Sequence, residues 1–359
     1  MKKAGIVTII DYYNFGNRLQ NYAISYLLNE RMHCRAVTLE GYKSHPAKGR
    51  IPGWIKEQLA LQICRVPFIA RKFMSPGLIR AYHFSEWSRR RIPRTRYYFC
   101  EKLPREISNE FDLFFAGSDQ IWNYRLKNLR LDDFFLAFAE NEKKNSIAAS
   151  FGVDRIPEEH RQYYCDRLSE FCHISVREET GAGIVKGLIG RDVPVLIDPV
   201  MMLSPDEWKS VEKKPWVDTS KQYVLKYYLG NGDAAIDRWA KDKGYAIYDL
   251  MNKNNKDLYS SGPGEFISLI RNANLICSDS FHCIAFSILF SRPFIVYERQ
   301  GAEDYMLSRL ETLLGKFSLE NRWSHMLTEE EYLSCRFGAV EERLEYERKR
   351  FMDYLAEII

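Results

Sequence analysis

Short β-branched or apolar runs alternate along this chain with amphipathic runs of helical period, and the alternation continues from one end to the other. Strands buried on both faces read as unbroken apolar runs, so the pattern predicts parallel sheets covered by helices, an α/β class. In the first half strands are predicted over 4–10, 36–39, 113–116, 146–150, 174–177 and 193–197, with helices over 17–30, 157–171 and 179–188. In the second half strands over 223–228, 246–249, 275–277 and 294–297 alternate with helices over 234–243, 264–271, 280–290 and 305–314. Between the halves, 204–221 (SPDEWKSVEKKPWVDTSK) is polar, holds two prolines and lacks a strong hydrophobic period, and it reads as the interdomain connection. The expected organisation is one α/β domain over 1–203, with a basic helical insertion near 46–98, and a second over 222–359 whose last helix packs across the body. Two such sheets direct their strand-end loops into a shared cleft, where a ligand is expected.

Composition agrees with two domains, since 359 residues at 46% hydrophobic content exceed a comfortable single core. The eight cysteines form no CxxC pair and no regular framework, which predicts reduced thiols and argues against a structural zinc site. Asp11 ends the N-terminal apolar run before signal or membrane-span length, so a cytoplasmic protein is expected. The formal charge of +4 conceals an imbalance: 46–98 holds twelve Lys or Arg against Glu57 and Glu86. With Trp54, Phe68, Phe73, Tyr82, Phe84 and Trp87 interleaved, this segment is either a solvated helical face over aromatics or a surface for an anionic glycan or lipid phosphate. No recognisable module accompanies the charge, so nucleic acid is not an expected partner.

Four places carry candidate chemistry. In LICSDSFHCIAFSILF a buried strand gives way to an apolar helix, which puts His282 in the first turn, with Asp279, Ser280 and Phe281 at the corner. Free amides and the positive dipole end there attract phosphate or carboxylate, so this histidine is placed to donate a proton to an anionic substrate; the plainer alternative is a residue that fills the corner. GIVTIIDYYNFGNRLQNYA is strand, turn and helix, with Asn14, Gly16, Asn17 and Gln20 as ligand candidates, but it lacks both the dinucleotide glycine spacing and the P-loop lysine. FDLFFAGSDQIWN ends a strand in Gly117, Ser118, Asp119, Gln120, Trp122 and Asn123, groups suited to sugar hydroxyls with an indole to cover an apolar sugar face, or else a capped turn with Trp122 packed inside. HISVREETG ends a strand at Arg177, whose guanidinium can fork onto a carboxylate or phosphate or pair with Glu178 or Glu179 at the surface. Lys226 in YVLKYYLG and Arg309 in SRLETLL are further candidates from the second domain.

Taken in order, NFGNRLQNYA, AGSDQIWN, SIAASFG, ISVREE with LIDPVMMLSPDEW, GPGEFISLIRNANLICSDSFHCIAFSILF and SRLETLL resemble the polysaccharide pyruvyl transferase family over most of the chain. Two departures are visible: Ala116-Gly117-Ser118 where relatives often have a glycine triplet, and Phe281 where they have arginine and leucine before the histidine. The resemblance implies two Rossmann-like domains in a GT-B-like arrangement, phosphoenolpyruvate as donor, and a sugar or lipid-linked glycan as acceptor. It also implies functional positions for His282 and Arg177, and no tightly bound cofactor or metal. His282 is then the acid that protonates the donor's methylene carbon, Arg177 holds the donor anion, and Asp279 or Asp119 takes the hydroxyl proton. A nucleotide-sugar glycosyltransferase and a non-catalytic glycan-binding protein are alternatives on the same architecture. Acceptors built on lipid phosphate would give the basic segment a peripheral contact with an anionic membrane surface.

Overall fold

In a computed structural model, residues 1–42, 62–63, 65–95, 98–99, 102–126, 130–299 and 307–359 are described. Lys48, Arg50, Trp54, Lys56, Glu57, Arg96 and the start of the helix predicted over 305–314 lie outside them. The strands are β1 Lys3–Val7, β2 Arg35–Thr38, β3 Gly41–Tyr42, β4 Tyr98–Phe99, β5 Leu113–Gly117, β6 Lys144–Ile147, β7 Tyr223–Tyr227, β8 Ala246–Asp249, β9 Leu275–Ser278 and β10 Phe294–Val296. The helices are α1 Phe15–Tyr26, α2 Pro67–Phe73, α3 Pro76–Arg91, α4 Leu131–Phe134, α5 Glu158–Ser169, α6 Glu179–Ile189, α7 Pro205–Lys209, α8 Ala234–Asp242, α9 Lys256–Tyr259, α10 Pro263–Asn272, α11 Phe281–Leu289, α12 Ser308–Phe317 and α13 Val340–Ile358.

Two four-stranded sheets, all parallel, organise the chain, with orders β2-β1-β5-β6 and β8-β7-β9-β10. Each half therefore places its first strand second in the sheet and reverses direction after it. Both halves are thus Rossmann-like α/β units. Such a reversal opens a crevice at the carboxyl ends of the two central strands, because the loops there leave toward opposite faces. The predicted strands over 174–177 and 193–197 appear only as single parallel bridges, Ala149 to Val176 and Val176 to Val195, extending the first sheet at its edge.

One apolar cluster runs without a break from Ile6 and Phe115 of the first sheet, through Phe15 of α1, to Leu225 and Ile276 of the second. Phe15 stacks on Phe266 of α10 at 4.3 Å and 6°, so the halves meet through packed rings. The polar 204–221 segment is in part structured: Ser204 caps α7 in a reciprocal capping box with Glu207, and Trp208 is fully buried with its indole donating to Val200 O at 2.8 Å. Helix α13 returns to the first half, where Tyr354 Oη donates to Ser146 O at 2.7 Å and Arg348 donates to Met201 O and Leu203 O, each at 2.9 Å. Among the described residues no helix is long and apolar enough to cross a membrane.

Candidate active site

The switch points of both sheets carry the candidate residues. After β1, Asn14 caps α1 by accepting from the Asn17 amide at 3.2 Å, which fixes where the helix begins. After β9, Ser280 precedes α11, and Asp279 accepts from the amides of Leu229 and Gly230 at 2.7 and 2.8 Å, tying the loop after β7 to the loop after β9. The starts of α1 and α11 then face each other across the junction. Their contact is close: a Cβ on Gly16 would lie 2.0 Å from Nδ1 of His282, so only glycine lets the imidazole approach that turn.

The other face of the imidazole meets a carboxylate. His282 Nε2 lies 3.4 Å from Asp198 Oδ2, and the same oxygen accepts from Arg177 Nη1. Asp198 Oδ1 accepts from the Val200 amide at 3.0 Å, because Asp198 caps the turn Pro199–Met202. One fixed carboxylate therefore holds a cation of the first half and the imidazole of the second. Burial alone would push the Asp198 carboxyl up, but His282 and then Arg177 outweigh it and keep the group well below the ordinary carboxylate range. Arg177 is itself buried, and although burial acts to lower it, Asp198, Asp119 and Glu178 prevail and secure its charge. Its guanidinium lies 4.5 Å over the Phe281 ring and 4.0 Å from Asp119.

Asp119 stands in the left-handed region at φ +66°, held by its own side chain: Oδ2 accepts from Asn17 Nδ2 at 3.0 Å and Oδ1 from the Gln120 amide at 2.8 Å. Burial raises this carboxyl, but Arg177, His282 and Asn17 together leave it lowered. Just before it, Gly117 has φ +128°, and a Cβ there would lie 2.3 Å from Ile147 O. Arg309 enters from α12 on the far side. With the Gln120 amide oxygen turned toward it, Gln120 accepts from Nη1 and Nη2 at 2.6 and 2.7 Å. Burial, reinforced by repulsion from Arg177, pushes Arg309 down to about 10.

The cluster leaves donors unused. Arg177 Nε and Nη2, Arg309 Nε and His282 Nε2 are buried and lack hydrogen-bond partners among the described residues. Buried polar groups are nearly always paired, so these bare donors are the atoms that an incoming hydrogen-bond acceptor would satisfy. A second buried acid, Glu178, accepts through Oε1 from Ser150 Oγ and from the Phe151 and Gly152 amides at 3.0, 2.8 and 3.3 Å, which anchors the chain beside Arg177.

The structure thus brings Gly16, Asn17, Asp119, Gln120, Arg177, Phe281, His282 and Arg309 together. It separates others. Trp122 is no sugar platform: it is fully buried, stacked on Phe135 at 5.6 Å and 5°, with its indole donating to Phe134 O. Lys226 is 2.7 Å from Asp237 of α8, on the sheet face opposite α11, because alternation along β7 sends Tyr227 toward α10 and Lys226 away. Gln20 and Ser118 are buried and bonded to each other, Gln20 Oε1 accepting from the Ser118 amide at 3.1 Å, while Asn123 is buried and donates to Gly152 O at 3.5 Å. Asp279 and Ser280 shape the loop, and Arg177 pairs with Asp198 in the interior rather than with Glu178 or Glu179 at the surface. Sequence reasoning missed Asp198. Its signal was an acid directly after the apolar run VPVLI and before a proline, the pattern of a cap at a strand end.

Distant structural likenesses exist. The chain resembles UDP-GlcNAc 2-epimerase from Neisseria meningitidis bound to UDP-GlcNAc at 12% identity, covering 98% of this chain and 94% of that one with a TM-score of 0.46. It resembles HepE of Anabaena in complex with UDP and glucose at 8% identity, 99% and 100% coverage and a TM-score of 0.47. For the MnaA–UDP complex of S. aureus the values are 12%, 100% and 98%, and 0.46. None of these likenesses bears on chemistry, and comparison with curated protein sequences gives no match. The polysaccharide pyruvyl transferase family model, by contrast, matches residues 14–301. That span opens at the Asn14 cap and takes in Asp119, Arg177, Asp198 and His282, and by it the chain belongs to the polysaccharide pyruvyl transferase family.

Proposed function

We propose that this protein transfers the enolpyruvyl-derived group of phosphoenolpyruvate to two hydroxyls of one sugar residue, on a glycan or its lipid-linked precursor in the cytoplasm, forming a pyruvate ketal. The observation that carries this reading is the set of buried, unused cationic donors of Arg177 and Arg309 beside the His282 imidazole. An enol phosphate bearing a carboxylate is a small dianionic or trianionic guest that such a set would bind.

The steps balance as follows. His282, as imidazolium held by Asp198, gives its proton to the donor's methylene carbon, and positive charge develops at the carbon bearing the phosphate oxygen. A sugar hydroxyl attacks that carbon and loses its proton. Phosphate then departs with its bonding electron pair, Arg177 and Arg309 neutralising the charge, and a second hydroxyl closes the ring. Of the two hydroxyl protons, one replaces that spent on carbon and one leaves with phosphate. Asp119 and Asp279 are poor bases here, since both accept hydrogen bonds through both oxygens. The neutral imidazole formed in the first step is the group left to take the hydroxyl proton.

The test is mass spectrometry of acceptor glycans incubated with protein and phosphoenolpyruvate, with free phosphate measured in parallel. Added pyruvyl mass and phosphate release requiring both substrates are expected. His282→Ala is expected to lower turnover by about 10²–10⁴-fold. Phosphoenolpyruvate should raise the melting temperature; a rise with UDP alone, and none with phosphoenolpyruvate, would overturn the reading in favour of a nucleotide-sugar enzyme.

A further inference from the structure

The segment leading into and through α2 turns apolar side chains outward. Ile63, Val66, Ile69 and Phe73 are 45%, 48%, 40% and 70% exposed, an unusual concentration of large apolar groups in one short stretch. Val66, Ile69 and Phe73 recur at helical spacing along one side of α2, and Ala70, at the edge of the same stripe, is buried against Ile79 with Met74, Tyr82 and Trp216 around it. The element is therefore anchored at one edge of its apolar stripe, through Ala70, and leaves the rest of that stripe facing solvent, with Arg71 and Lys72 exposed on the opposite side.

Cations flank the stripe. Arg65, Arg71 and Lys72 lie on the segment itself, and Arg89 and Arg90 lie on the outer side of α3, against Asp257 on Arg71 and Glu86 on Arg90. Between the segment and α3 lies a cavity of about 440 Å³ lined by Gln62, Arg65, Tyr82, Glu86, Arg89 and Arg90. An apolar stripe with a basic, hydrogen-bond-donating recess beside it matches a bilayer surface carrying anionic headgroups: acyl chains accept the stripe and phosphates the recess. A soluble acidic glycan would satisfy the cations and leave four apolar side chains wet.

We propose that α2 and the outer face of α3 form an interfacial docking site for an anionic lipid bilayer, with Ile63, Val66, Ile69 and Phe73 inserted at the headgroup level and Arg65, Arg89 and Arg90 on lipid phosphate. This goes beyond the ketal chemistry and does not depend on it, since docking is read without donor or acceptor.

The experiment is flotation of the full chain with vesicles of phosphatidylcholine alone or mixed in equal parts with phosphatidylglycerol. Binding to the mixed vesicles, weakened by salt, is expected. Ile69→Ser with Phe73→Ser is expected to weaken it about tenfold or more, and each of Arg89→Gln and Arg90→Gln about fivefold. All four positions are surface positions, and unchanged melting temperatures will show that the variants fold. Equal binding to both vesicle types, no binding to either, or wild-type binding by the apolar double variant overturns the proposal. Flotation without any pyruvyl transfer would instead leave docking standing and remove the proposed reaction.

Discussion

Gly16→Ala isolates the role of the imidazole without touching it. The new methyl carbon would stand 2.0 Å from Nδ1, 2.2 Å from Cγ and 2.6 Å from Cε1 of His282, whereas ordinary contact begins at 3.4 Å. Restoring contact moves the ring, or the start of α1, by about 1.4 Å, and a displacement near 1 Å in a reacting group costs on the order of 10²-fold in rate. The ring has little room to yield, with Phe281 edge-on at 5.3 Å and the Asp198 carboxylate fixed by Arg177 and the Val200 amide. Overpacking of this kind costs about 1–3 kcal/mol of stability. Gly183→Ala is the control, because it lies in α6 with nothing within 4 Å of a new Cβ and is expected to gain about 0.5–1 kcal/mol. Phosphate release from phosphoenolpyruvate with acceptor, alongside thermal unfolding, reads both effects. Wild-type turnover by Gly16→Ala would refute the placement of His282 at the reacting atoms, whatever the melting curve shows.

Other outcomes follow from the same cluster. Asp198→Ala leaves Arg177 buried without its closest counter-charge and is expected to cost about 3–5 kcal/mol. Since the folded carboxyl is lowered from 3.8, its contribution is complete above that value and fades as pH falls below it, so urea titrations of wild type and variant should converge on acidification. Arg309, lowered from 12.5 to about 10, is costly to bury at every pH below 10, and that cost is relieved only between 10 and 12.5. Arg309→Met should therefore raise the melting temperature at neutral pH, by up to about 3 kcal/mol in stability, while abolishing the rise that phosphoenolpyruvate gives the wild type. Arg177→Lys keeps charge but not the fork, and weaker donor use at an unchanged fold is expected from saturation kinetics. Trp122→Ala should cost about 3–5 kcal/mol in denaturant melts as a core deletion, with no selective loss of glycan affinity.

The central strands of both sheets were legible because they are buried on both faces, which leaves runs such as LFFAG and LICS with little ambiguity. Ala246–Asp249 falls where the pattern placed it, and the other main strands shift by a few residues at their ends. Lys226 reads as a possible ligand in sequence because strand alternation says that it leaves one face, not which face the partner helix takes; Asp237 decides that only in three dimensions. Trp122 reads either as a sugar platform or as a packed side chain, since it follows polar turn residues, and only its stack on Phe135 settles it inward. Asp198 escaped because its partners lie 21 and 84 positions along the chain, at Arg177 and His282, and no local period records a carboxylate shared across two halves.

Helix α13 bears on how the chain matures during synthesis. Phe351 and Leu355 complete the same apolar cluster as Ile6 and Phe115, and Tyr354 reaches the Ser146 carbonyl of β6. A ribosome that has made the whole first sheet has still not made the residues that seal it. The amino-terminal half must wait, partly bare, until α13 emerges, so its core closes only after the second half has been made and the two halves ripen together.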